Sequence, residues 1–157
     1  MLFGKSVKNS LVIKKEAINI VWLKRDIRAQ DHEPLLNAEK SETPYRIVYV
    51  FEPSCIHYPD TSLRHLQFIY HSLLALNRKL NRYNRCVDVF YGEAIDIFNF
   101  ITDKFEVKSV FSYQESGIEL TWRRDREISS FFSKKSISWT EFQRDGIVRG
   151  GYVRIIN

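Results

Sequence analysis

The chain has 157 residues, 44% hydrophobic and 27% charged, the profile of one soluble globular domain with no room for a second large one. No apolar run approaches the ~20 residues that span a bilayer, which rules out a membrane protein, and 14% aromatic content with few prolines and glycines rules out disorder. The net charge of +5 suggests nucleic acid, but residues 1–18 hold four lysines against Glu16 alone, so the other 139 residues carry only +2.

In chain order, residues 1–17 are expected to be a disordered leader, because Leu11-Val12-Ile13 is too short for a secretory core. The first strand is expected at 18–23. A helix follows, with Asp31 as N-cap and Glu33 and Pro34 in its opening turn. The second strand, 46–51, is apolar on consecutive positions, as in strands covered on both faces. The longest helix, 62–81, sets Leu63, Leu66, Tyr70, Leu73 and Leu80 on one stripe. Strand 87–91 leads to a helix at 93–105 that buries Ala94, Ile97, Phe98 and Ile101. Strand 108–113 leads to a helix at 118–133, with Ile118, Trp122, Ile128, Phe131 and Phe132 inward and an Arg/Glu-rich middle facing water. A fifth strand is expected at 138–142.

Strict alternation predicts an α/β fold: a Rossmann-like, doubly wound, five-stranded parallel sheet of order 3-2-1-4-5 with helices on both faces. Residues 18–150 read as one domain. Ligands of such sheets bind beyond the carboxyl ends of the strands, where strand order reverses, here between the first and fourth. The facing loops offer Trp22, Leu23, Lys24 and Arg25 on one side and Gln114 and Glu115 on the other, with Phe51 and Glu52 on the rim. No glycine-rich turn is present to approach a diphosphate, so a flat heteroaromatic ligand suits the crevice better than a dinucleotide. Trp22 in a strand end is more often core. Arg25 and Asp26 are expected to pair with each other and brace their loop, and Glu115 has the alternative of a first-turn helix acid. Gln114 with Glu115 is the favoured ligand pair.

Catalytic patterns are sparse. The four histidines have no metal-binding spacing, and Cys55 with His57 lacks an oriented base and oxyanion donors, so all four read as surface or capping residues. The two cysteines imply neither zinc nor a disulfide, and a cytoplasmic setting is the default. The basic clusters Lys24-Arg25, Arg78-Lys79 with Arg82 and Arg85, and Arg123-Arg124 read as solvated faces.

Trp22-Leu23-Lys24-Arg25-Asp26-Ile27-Arg28, followed by Asp31 and Pro34-Leu35, resembles the opening signature of the DNA photolyase and cryptochrome family. The likeness continues through Phe51-Glu52-Pro53, then Ser62, Arg64, Phe68, Ser72-Leu73 and Leu76, then Tyr91-Gly92-Glu93, Tyr113-Gln114-Glu115 and Arg124-Asp125. Residues 141–149 are similar to the start of an interdomain connection. His32-Glu33 departs from the usual pattern, and residues 151–157 form a divergent tail.

The resemblance implies the N-terminal α/β domain of a light-dependent DNA repair protein. Such a domain hosts an antenna chromophore, a folate, deazaflavin, flavin or lumazine, with Glu115 at a contact position in some members. FAD and damaged DNA are expected only with a helical FAD-binding domain, the natural partner, which is expected to be absent from residues 1–157. The chain alone is expected to be an inactive monomer, with catalytic residues none and metal none. Two alternatives stand beside this reading: a standalone nucleotide-binding module, and an interaction module with an exposed apolar patch.

Overall fold

The computed structural model describes residues 14–143. Residues 1–13 of the expected leader, most of the expected connection and the 151–157 tail lie outside the described residues. Five strands form one parallel sheet of order β3-β2-β1-β4-β5: β1 (Ala17–Leu23), β2 (Tyr45–Phe51), β3 (Val87–Tyr91), β4 (Glu106–Tyr113) and β5 (Ser138–Phe142). The expected order is the one observed. β1, β2 and β4 begin one or two residues ahead of their apolar runs, because flanking residues such as Ala17 and Glu106 complete the ladder between β1 and β4.

Each face of the sheet has its own core. Ile18, Ile20, Trp22, Val48, Val50 and Val110 pack under α4 (Ala94–Lys104) and α5 (Glu119–Lys134). Val21, Leu23, Ile47, Tyr49 and Val87 pack under α1 (Glu33–Lys40) and α3 (Leu63–Leu80). Side chains alternate between faces along β1, which is why its apolar run is continuous. Each large side chain so buried contributes roughly 1.5–3 kcal/mol. The first face is aromatic at its centre, with Trp22 edge-on to Phe98 at 5.0 Å and Phe98 edge-on to Phe132 at 4.9 Å.

Several local expectations are corrected. The N-cap of α1 is His32, whose Nδ1 accepts the Leu35 N–H at 3.1 Å, while Asp31 takes a left-handed φ of 49° one residue earlier. The short helix α2 (Pro53–Ile56) was not foreseen. On α3, whose N-cap is Ser62 as the sequence suggests, Leu73, Leu76 and Leu80 are buried, but Leu63 and Tyr70 are exposed. The stripe is buried only in its second half, because the first half projects past the sheet and borders a cavity. On α5 Trp122 is exposed rather than buried, while Arg124 and Asp125 turn inward from the helix's polar middle. No described helix is long and apolar enough to cross a membrane.

Candidate functional site

The crevice between β1 and β4 is bridged by charge. Arg25, in the loop after β1, donates from Nε to Glu115 Oε1 at 3.0 Å, and Arg124 on α5 reaches Glu115 Oε2 at 3.2 Å. Arg124 also holds Glu52 Oε1 at 2.5 Å and Asp125 Oδ1 at 3.0 Å. Lys24 completes the network through Asp125 Oδ2 at 2.8 Å, with Glu141 at 3.6 Å. Three cations therefore face four carboxylates, and except for Arg25 these side chains are largely buried.

Burial pushes the Glu52 carboxyl above its ordinary value, with Arg124 pulling the other way. Burial alone would lower the Arg124 guanidinium, but its three carboxylates outweigh it and drive the group further up, so Arg124 stays charged. Both Lys24 Nζ and the Arg124 guanidinium lie over the Trp22 ring, at 4.5 and 5.0 Å.

Asp26 does not pair with Arg25. Its Oδ2 meets His32 Nε2 at 2.5 Å, and its Oδ1 accepts the Lys24 N–H at 2.9 Å. Because His32 Nδ1 accepts from the backbone, Nε2 is the nitrogen that donates to Asp26. His32 is thus a capping residue but a buried one, not a surface histidine. Burial would raise Asp26, yet the hydrogen bonds it accepts from His32 and from the Lys24 N–H hold its carboxyl below the usual range.

The open space lies on the β1–β2 side of this network, roofed by α3: a cavity of about 530 Å³, within the range of small-molecule sites. Trp22, Leu23, Lys24, Arg25, Phe51, Glu52 and Glu115 line it, as the sequence suggests. Gln114 does not. Its backbone N–H donates to the Phe142 carbonyl at 2.8 Å, on the β5 side of the crevice. Trp22 is a core residue at 1% exposure that also borders the cavity. Glu115 precedes α5 by four residues, and the first-turn acid is Glu119.

The sequence reading missed Tyr49, Arg124 and the α3 wall of Leu66, Phe68, Ile69 and Ser72. Phe68 and Ser72 stood in the family likeness without a site role, and Leu66 in the amphipathic stripe, while nothing in the sequence marked Ile69. Arg124 was part of the family likeness with Asp125, but it stood among four charged neighbours that looked solvated, and its place on the buried side of α5 is what the sequence did not show. Cys55 also borders the cavity, where burial raises its thiol, and His57 Nδ1 is 2.8 Å from the Pro53 carbonyl oxygen. That arrangement does not make a thiolate nucleophile. Among the described residues no cluster of His, Cys, Asp or Glu could hold a metal ion.

The floor suits an uncharged ring. Its buried cations are each committed to carboxylates, and Tyr49, Phe51 and Ile69 border it with apolar surface. A phosphate would find only the rim, where Arg25 is 56% exposed and Arg28 stands beside it.

Comparison with known proteins agrees with this architecture. The family model for DNA photolyase matches residues 19–154. A deoxyribodipyrimidine photo-lyase of Buchnera aphidicola is 25% identical over 84% of this chain and 26% of its own length. The chloroplastic/mitochondrial cryptochrome DASH of Solanum lycopersicum is 29% identical over 68% of this chain and 19% of its own. Among solved structures, a class III photolyase from Agrobacterium tumefaciens superposes with a TM-score of 0.70 at 22% identity, over 88% of this chain and 27% of that one. A cryptochrome from Synechocystis does so with a TM-score of 0.73 at 21% identity, over 81% and 27%. The chain thus spans about a fifth to a quarter of the length of these relatives. It belongs to the DNA photolyase family and has the fold of the family's N-terminal α/β domain.

Proposed function

We propose that this domain binds an antenna chromophore, a folate, deazaflavin, flavin or lumazine ring, in the cavity between β1, β2 and α3. The observation that carries the reading is the cavity itself: about 530 Å³, walled by Trp22, Tyr49, Phe51, Phe68 and Ile69, above a charge network that is already satisfied. When bound, such a group supplies light capture and passes excitation to a flavin elsewhere in the protein. The chain's own residues do the holding. Phe51 and Ile69 present ring-sized apolar surface, Ser72 and His65 offer polar edges, and Arg25 and Arg28 face any anionic tail at the mouth. The archaeal photolyase from Sulfolobus tokodaii, a structural neighbour with a TM-score of 0.70 at 23% identity, is described with two FAD molecules and a novel light-harvesting cofactor. The fit favours the ring over the diphosphate, because no glycine-rich turn reaches the site.

Light-dependent repair of damaged DNA, with FAD, is proposed for the protein only together with a helical FAD-binding domain. The domain itself is proposed to be a monomer without repair activity. Exposed Leu63, Phe68 and Tyr70 on α3 favour a second, compatible reading, contact with that further domain. Riboflavin or a reduced folate incubated with the purified chain and passed through gel filtration should co-elute with it near one equivalent. Elution of every chromophore apart from the protein would remove the proposal.

A further inference from the structure

All five strands run parallel, so the helices end where the strands begin, at the pole opposite the cavity. Each of α1, α3, α4 and α5 carries a basic residue in its last turn. A helix dipole accounts for one or two such cations per helix. α3 reaches that allowance, and its basic run continues past the helix end. It ends with Arg78 and Lys79, and Arg82 and Arg85 follow beyond the helix. Residues 61–87 hold five Lys and Arg and no Asp or Glu.

At the β4 end of this pole Glu106 accompanies Lys108 at 2.5 Å. In the α3 run Arg85 alone meets a carboxylate, Glu39 at 3.6 Å, and it otherwise lies over the Tyr45 ring. Arg78, Lys79 and Arg82 form no salt bridge with a described residue. Between Arg82 and Arg85, Tyr83 stands 76% exposed in a 3-10 turn (Asn81–Tyr83) closed by Asn84 at a left-handed φ of 54°.

We propose that this corner binds the phosphate backbone of a single-stranded nucleic acid. Proteins that hold single strands without sequence preference combine unpaired cations along the backbone path with an exposed aromatic face on which a base stacks. Arg78, Lys79 and Arg82 supply the first and Tyr83 the second. The site lies at the far end of the sheet from the cavity, so it does not depend on the antenna reading, and both can be filled together. Leaving Arg78 and Lys79 unopposed costs little while they face water, and each phosphate contact gains by releasing condensed counterions.

The test is fluorescence anisotropy of a fluorescein-labelled 20-mer of thymidylate titrated with the full chain at low salt. Three to four neutralised phosphates give a slope of log K against log salt of about −2 to −3. The triple variant Arg78→Gln/Lys79→Gln/Arg82→Gln should bind more than about tenfold more weakly with a flatter slope, and Tyr83→Ala about fivefold more weakly. Lys134→Gln/Lys135→Gln, basic positions on the same pole, should bind as the parent does. All of these residues are surface groups, and circular dichroism of each variant checks that folding is unchanged. Absence of binding, equal binding by the triple variant, or equal loss in the Lys134/Lys135 variant would overturn the proposal. Polyglutamate competing as well as the oligonucleotide at equal charge would also overturn it, in favour of an acidic protein partner.

Discussion

Arg25 and Glu115, ninety positions apart in sequence, meet at 3.0 Å and tie the loop after β1 to the loop after β4. Gly117 makes the approach possible. A Cβ there would lie 2.5 Å from Arg25 Nη2, 2.6 Å from Glu115 Oε1 and 2.8 Å from Thr121 Oγ1. Arg25 can swing into water, but buried Glu115 cannot, so Gly117→Ala should destabilise by about 1–3 kcal/mol. Urea unfolding should show a lower midpoint at unchanged slope. A midpoint equal to the parent's would mean that the two loops are not held by this contact.

Arg124 is the hub of the network, with three carboxylates about one guanidinium. Arg124→Met leaves those acids buried without their shared cation and should cost about 3–5 kcal/mol at neutral pH. The loss should shrink as pH falls towards 5, because protonation removes the uncompensated charge, with Glu52 first since burial already raises it. Thermal melts of parent and variant at pH 5 and pH 8 check this, and a deficit independent of pH would contradict it.

Asp26 titrates with the opposite sense. A carboxyl held low in the folded state binds fewer protons there than in the unfolded chain. Its contribution is therefore complete above the ordinary carboxylate range and is lost as pH falls below about 4 through the lower folded value. Asp26→Asn should cost about 1–3 kcal/mol at pH 7 and lose less stability than the parent on acidification. Parallel acid-unfolding curves for the two proteins would mean that the pair with His32 contributes nothing.

The sheet was legible because buried parallel strands announce themselves as apolar runs, and runs such as Val48-Tyr49-Val50-Phe51 have no other use in a short chain. The family signature marked loops that border the cavity for the same reason: topology brings the ends of β1, β2 and β4 together whatever their side chains do. The partnerships were not legible. Arg25 beside Asp26 suggested a local pair, yet at close quarters each found a better partner, Glu115 and His32, which sequence distance conceals. Gln114 next to Glu115 does not border the cavity, and its backbone N–H is bonded to the Phe142 carbonyl on the β5 side. The α3 wall was hidden because a stripe of Leu and Tyr carries no sign of where the sheet beneath it stops.

Titration of riboflavin into the purified chain, followed by quenching of the flavin fluorescence, decides whether the cavity is a chromophore site. Ser72→Trp, which fills the space from α3 without touching the charge network, is the paired variant. The parent should saturate at one equivalent, and the variant should bind at least about tenfold more weakly. No saturable binding of flavin, folate or deazaflavin by the parent, or equal affinity in the filled variant, would contradict an antenna role for this cavity.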